Sequence, residues 1–197
     1  MRKHEAGFSI VEVVVVAAVS MITISLAAPS ITGAIETYQF NSDVQSVAAT
    51  IRSARFTAVA SNVRMQVRFN CPATGQMRVV EVTGDAAIDT AGDRCDLSAY
   101  PYPDTDANTA PNNDGPVLQM GSSTDLPTTV DGLEISTSGR VVPVTGCPGC
   151  STASPPAVLT MGDQRSDTDR RITVTATGGT TVSRFGTARD VEYEVAH

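Results

Sequence analysis

The side chains that most often carry chemistry are few in this sequence and unusually placed. The two histidines, His4 and His197, stand near opposite ends, so the body of the chain holds no Ser-His-Asp triad and no multi-histidine zinc site. The one lysine is Lys3, which leaves none for a P-loop or a Schiff base further along. The four cysteines, Cys71, Cys95, Cys147 and Cys150, could form disulfides, gather on zinc or, within Cys147-Pro148-Gly149-Cys150, act as a redox pair. Asp104, Asp106 and Asn108 alternate oxygen ligands as a calcium loop does. Thr109, however, stands where such a loop needs glycine, and Gly115 where it needs a bidentate glutamate. Glu12 is the remaining oddity, a carboxylate inside an apolar run, where a charge is costly and is usually kept for a function. Neither enzymatic chemistry nor a cofactor is expected.

These residues are carried by a chain of 197 residues, 41% hydrophobic and 18% charged, enough for one domain of ordinary size. Its formal charge of −7 argues against bulk attraction to nucleic acid or to an anionic membrane face. Apolar residues concentrate from Phe8 to Ala28, where Glu12 is the only charge. A helix of roughly 20 such residues spans a bilayer core of ~30 Å. Arg2 and Lys3 ahead of it should hold that end on the cytoplasmic side and send the rest outward. A removable secretory signal with its cleavage site at Ser25-Leu26-Ala27 is the alternative, although such a signal has no use for Glu12.

Beyond Pro29 the pattern stays helical to about Asn62. Ile31, Ala34, Ile35, Tyr38, Val44, Val47, Ala48, Ile51, Ala54 and Ala58 recur mostly three and four apart, a stripe able to pack on a partner. Pro29 lacks an N–H, and Gly33 weakens the next turn, so a bend or fray is expected there. At Val63 the period changes to two. Val63, Met65, Val67 and Phe69 alternate with Arg64, Gln66 and Arg68, which predicts a strand with one buried face. Further strands are predicted at 77–82, 117–120, 133–136, 140–144, 157–161, 171–176, 180–185 and 191–195, with no second helix among them. The expected fold class is α+β, a long N-terminal helix packed on a mostly antiparallel β domain.

Gly7-Phe8-Ser9-Ile10-Val11-Glu12, behind a short charged leader and ahead of an apolar helix, resembles the processing site of type IV prepilins and pseudopilins. Pro29 also matches that family's helix-kinking proline. The resemblance implies cleavage between Gly7 and Phe8 by prepilin peptidase, a membrane aspartyl peptidase, and methylation of the new amino group of Phe8. It implies that Glu12 pairs in a filament with the amino terminus of a neighbouring subunit. The stretch VAATIRSARFTAVASNVRMQV, followed by an all-β remainder, is similar to the GspH/FimT branch of minor pseudopilins and minor pilins. The implied organisation is a leader at 1–7, a transmembrane and assembly helix at 8–28, an amphipathic helix at 29–62, and a β-rich periplasmic domain at 63–197. The implied location is a single pass through a bacterial inner membrane, with incorporation in a secretion pseudopilus or a type IV pilus. Partners would be the major pilin or pseudopilin and other minor subunits, with secreted substrate a further candidate. Some FimT-like pilins bind DNA through arginines near a C-terminal glycine. The matching stretch here is 178–185, with Arg184 on it and Arg189 beyond, but Asp190, Glu192 and Glu194 follow, so nucleic acid is weakly supported as a partner.

Between Tyr100 and Gly132 the chain is rich in proline and short polar residues and reads as a long surface excursion with one short strand. A solvated acidic loop is preferred there over a calcium site. Charge is segregated around it. Arg52, Arg55, Arg64, Arg68 and Arg78 occupy an acid-free stretch from Val44 to Val80, whereas Glu81 to Glu134 holds eleven acids and the single base Arg94. The two stretches either neutralise each other within one domain or form opposite ends of a head-to-tail contact between subunits. Outside the cytoplasm the cysteines are expected as disulfides, and Cys71–Cys95 with Cys147–Cys150 is the pairing that needs least rearrangement of the chain. A zinc site and a redox pair remain as alternatives.

Overall fold

In a computed structural model of the chain, residues 9–103, 109–128, 130–144, 156–163 and 168–186 are described. The first element is a helix of 52 residues, α1 (Ile10–Ser61), with Pro29 and Gly33 inside it. Asn62 follows at φ 54°, a left-handed residue that ends the helix, and the N–H of Val63 closes on the carbonyl of Ala58. The chain divides into two compact units, Met1–Gln39 and Phe40–His197. That boundary falls inside α1.

In the first unit the side chains from Ser9 to Ser25 are all exposed. So are Ile31, Ala34, Ile35 and Tyr38, which the apolar stripe had placed on a packed face. Among the described residues no helix is long and apolar enough to cross a membrane. Phe8 lies outside those residues.

In the second unit the stripe is buried. Phe40, Val44, Val47, Ala48, Ile51, Ala54 and Ala58 are each at most 2% exposed, and their spacing keeps them on one face of α1. That face joins a single core with two antiparallel sheets. The first sheet contains β1 (Arg64–Phe69), β2 (Gln76–Val82), β3 (Val117–Gln119), β5 (Gly132–Ile135) and β6 (Val141–Val142), in the order β3-β2-β1-β5-β6. The second contains β4 (Thr124–Asp125), β7 (Ala157–Asp163), β8 (Thr168–Val174) and β9 (Thr180–Gly186), in the order β4-β7-β8-β9. Met65, Val67 and Phe69 of β1 lie opposite Glu81, Val79 and Met77 of β2, so the period-two reading of β1 gives the observed register.

Two elements depart from the sequence expectation. A short helix, α2 (Ala86–Asp89), does follow β2, started by Asp85, whose carboxylate accepts from the N–H of Ala87. The two-residue strand β4 was also not foreseen, because two residues carry no readable period. The predicted strand at 191–195 lies outside the described residues.

Candidate functional site

From Ile10 to Ser25 every side chain of α1 is exposed and packs on no other element among the described residues of its own unit. Ile10, Val11, Val13, Val14, Val15, Val16, Val19, Met21, Ile22 and Ile24 are between 54% and 83% exposed. Water would be a poor solvent for such a surface, since each buried aliphatic side chain of this kind is worth about 1.5–3 kcal/mol. The polar side chains among them are turned inward on the helix. Ser20 donates to the carbonyl of Val16 at 2.8 Å, Thr23 to that of Ser20 at 2.9 Å, and Ser25 to that of Met21 at 2.8 Å. Their hydroxyls therefore need no water, which suits a helix surrounded by apolar atoms. Glu12 stands in the first turn, where the partial positive charge of a helix start favours a carboxylate, and is the only charged group from Ser9 to Ser25.

The β domain is closed by a different constellation. Opposite the β1 partner of β2, strand β3 pairs only with Gln76, Met77 and Arg78, so the remainder of that edge of β2 would be bare. The polar excursion covers it. The N–H of Gly115 donates to the carbonyl of Val79 at 2.8 Å, the N–H of Glu81 donates to Asp114 Oδ1 at 2.8 Å, and Arg94 Nη2 donates to the carbonyl of Glu81 at 2.9 Å. Two side chains thus take the place of a neighbouring strand, which protects the edge from pairing with another chain. Arg94 also grips Asp114 through Nη1 and, at 2.7 Å, through Nη2, and its guanidinium lies 4.5 Å from the centroid of the Tyr100 ring. Its Nε is buried with no partner among the described residues.

Arg78, on the neighbouring strand position, donates to the carbonyls of Gly115 at 2.9 Å and Tyr100 at 2.6 Å and lies 3.7 Å from Asp114. Burial pushes the Arg78 guanidinium below the ordinary arginine value, with Asp114 opposing that shift. Glu81 Oε2 in turn accepts from the backbone N–H groups of Asn112 and Asn113 and from Asn113 Nδ2. A groove of about 350 Å³ adjoins this cluster, lined by Thr50, Ser53 and Thr57 of α1 on one side and Tyr102, Asn113 and Asp114 on the other. The carboxylates of Asp114 and Glu81 already have donors, so the arrangement fastens the chain and leaves no base poised to react.

This geometry decides between the two readings of the charge segregation. Arg64 pairs with Glu134 at 3.1 Å, and Arg78 and Arg94 converge on Asp114. Arg68 donates to Gln66 Oε1 and to the carbonyl of Asp89, Arg52 donates to Thr180 Oγ1 at 2.6 Å, and Arg55 lies against Gly139 and Gly178. The basic stretch is therefore engaged inside its own unit, and the head-to-tail contact built on it is not supported.

Of the residues singled out from the sequence, Cys71 and Cys95 form a disulfide with Cα atoms 5.6 Å apart. Cys147, Cys150, Gly7, Phe8, Arg189 and the calcium-loop residues Asp104, Asp106 and Asn108 lie outside the described residues. Among the described residues, no three His, Cys, Asp or Glu side chains are grouped to hold a metal. Arg184 is exposed on β9, directly opposite Arg170 of β8. The Arg78–Arg94–Asp114 cluster was not foreseen as a unit. Its signal was the lone base in an acidic stretch, Arg94, which a solvated loop would not need.

No protein-family model and no curated protein matches the sequence. Among solved structures, the chain is similar to the type IV minor pilin FimU of Pseudomonas aeruginosa at 12% identity and a TM-score of 0.47, over 75% of this chain and 90% of that one. It is also similar to the minor pseudopilin EpsH from the Type 2 Secretion System of Vibrio cholerae at 15% identity and a TM-score of 0.41, over 76% of this chain and 98% of that one.

Proposed function

We propose that the chain is a pilin-like subunit, a minor pseudopilin or minor pilin, that leaves the inner membrane to join a filament. The observation that carries this reading is the first half of α1. From Ile10 to Ile24 it exposes a largely apolar surface, turns the hydroxyls of Ser20, Thr23 and Ser25 onto its own backbone, and keeps one carboxylate, Glu12, in its first turn. Such a helix is suited to pass from lipid into a bundle of like helices without exposing an unsatisfied polar group. In this reading prepilin peptidase cuts after Gly7, Phe8 becomes the methylated first residue, and the run to Ala28 anchors the chain with the β domain in the periplasm. Glu12 then meets the amino terminus of a neighbouring subunit. A carboxylate in an apolar core is tolerable only when paired, so it sets the register of one subunit on the next.

The test is Glu12→Leu. Membrane insertion and cleavage after Gly7 should persist, because neither requires the carboxylate. Incorporation should fail, since breaking a buried ion pair costs on the order of 3–5 kcal/mol. Crosslinking to the major subunit, beside a Ser20→Ala control, reads the difference. A processed Glu12→Leu chain that enters filaments like wild type would refute the role of Glu12.

A further inference from the structure

Strand β9 is an outer strand of its sheet, and its register places Arg184 directly opposite Arg170 of β8. Alternation along the strands puts both on the face that carries Ile172 and Val182, which is the face packed toward the core. Arg170 is only 9% exposed. Its guanidinium is held from α1 by the amide oxygen of Asn41, which accepts from Nη2 at 3.0 Å and from Nε at 3.3 Å.

This is an unusual way to keep a buried cation. Like charges directly opposite on neighbouring strands are destabilising. Asn41 is neutral, and among the described residues neither Arg170 nor Arg184 makes an ion pair. The carboxylate nearest in sequence, Asp169, points to the other face of β8, where it lies beside Gly162, and Asp43 is already bonded to the N–H of Gly121 and the hydroxyl of Thr124. Burial first and Arg184 second hold the Arg170 guanidinium below the ordinary arginine value. The register sets two like charges side by side with no ion-pair partner among the described residues, which favours a negative group beside them. Asn41 fixes one fork by Nε and Nη2, and Arg184 is exposed on the outer strand.

We propose that Arg170 and Arg184 form an oxyanion site at the outer strand of the second sheet, and that its occupant is a carboxylate of a neighbouring protein subunit. Two guanidinium groups match the planar, two-oxygen geometry of a carboxylate. A chain of net charge −7 offers no bulk attraction to a long polyanion such as nucleic acid, whereas a single carboxylate presented by a protein meets only the local positive field. The choice of a subunit as the source rests on the assembly reading above; the oxyanion site itself does not.

The full chain, purified in detergent, is titrated at matched ionic strength with inorganic phosphate, with an otherwise neutral peptide carrying one glutamate and with a single-stranded oligonucleotide, while its resistance to thermal unfolding is followed. Arg184→Ser is compared with wild type, Arg184→Lys serves as the conservative variant, and Asn41→Ala releases the Arg170 fork. Phosphate and peptide are expected to protect wild type, with apparent affinity lowered about tenfold or more in Arg184→Ser, equivalent to about 1.4 kcal/mol, and less in Arg184→Lys. Asn41→Ala is expected to weaken both ligands although it removes no charge. Equal protection of wild type and Arg184→Ser would overturn the site. Protection by the oligonucleotide at concentrations where the peptide has no effect would overturn the carboxylate occupant. No step uses a filament, so failure of the chain to assemble and failure of this site are read separately.

Discussion

Asp114 receives two hydrogen bonds from the guanidinium of Arg94, and neither side chain keeps more than 3% of its surface exposed. The same carboxylate takes the N–H of Glu81 and faces Arg78, so one residue of a polar loop is shared by two buried arginines and closes a strand edge. Removal of Asp114 strands both cations. Asp114→Ala is expected to cost about 3–5 kcal/mol in urea unfolding of the full chain in detergent. The double replacement Arg94→Met/Asp114→Leu should lose less than the sum of the two single changes, because it leaves one arginine and not a broken pair.

The disulfide joins the end of β1 to the residue after Arg94, across a sequence separation of 24. It thereby holds the loop that presents Arg94 to the edge of β2. Replacing both Cys71 and Cys95 by serine should lower stability by about 2–4 kcal/mol. Peptide mapping without reduction should recover the two cysteines in one linked fragment; two separately alkylated peptides would contradict the pairing.

Gly178 adopts φ +79°, and a Cβ there would stand 2.5 Å from the carbonyl oxygen of Gly139. Gly178→Ala is therefore strained by conformation and by a backbone clash, at about 1–3 kcal/mol. Gly92 has neither a positive φ nor a neighbour within 4 Å, so Gly92→Ala is the matched control and should be near neutral. Equal unfolding midpoints for the two variants would refute the packing described between the turn after β6's partner strand and the turn before β9.

The Asp96 carboxylate accepts the N–H of Ser98 at 2.8 Å, and that bond holds it below its ordinary value of 3.8. A carboxyl with a lowered folded pKa binds fewer protons than the unfolded chain, so its contribution is present above 3.8 and fades as pH falls through the folded value. Urea midpoints of wild type and Asp96→Asn should differ at neutral pH and converge in acid. A gap that widens on acidification would contradict this sign.

The elements most legible in the sequence were those with a sustained period. Val44 to Ala58 and Met65 to Phe69 each repeat long enough to fix a face, and both faces are the ones buried. The stripe failed above Phe40 because Ile31, Ile35 and Tyr38 keep the helical spacing while no sheet reaches them within their own unit. Spacing reports which residues share a face, not whether a partner is present. The Arg78–Arg94–Asp114 cluster was hidden for the opposite reason. Its members are 16 and 20 residues apart, with charges that read as solvated until the loop folds onto β2.

The central claim is that Phe8 opens the mature chain and leads an assembly helix. Intact mass and N-terminal sequencing of the protein extracted from membranes test it most directly. The account predicts a chain that begins at Phe8 and is heavier by one methyl group on its α-amino nitrogen. A chain that begins at Ala28, or one that still carries Met1 to Gly7 beside an active prepilin peptidase, would contradict it.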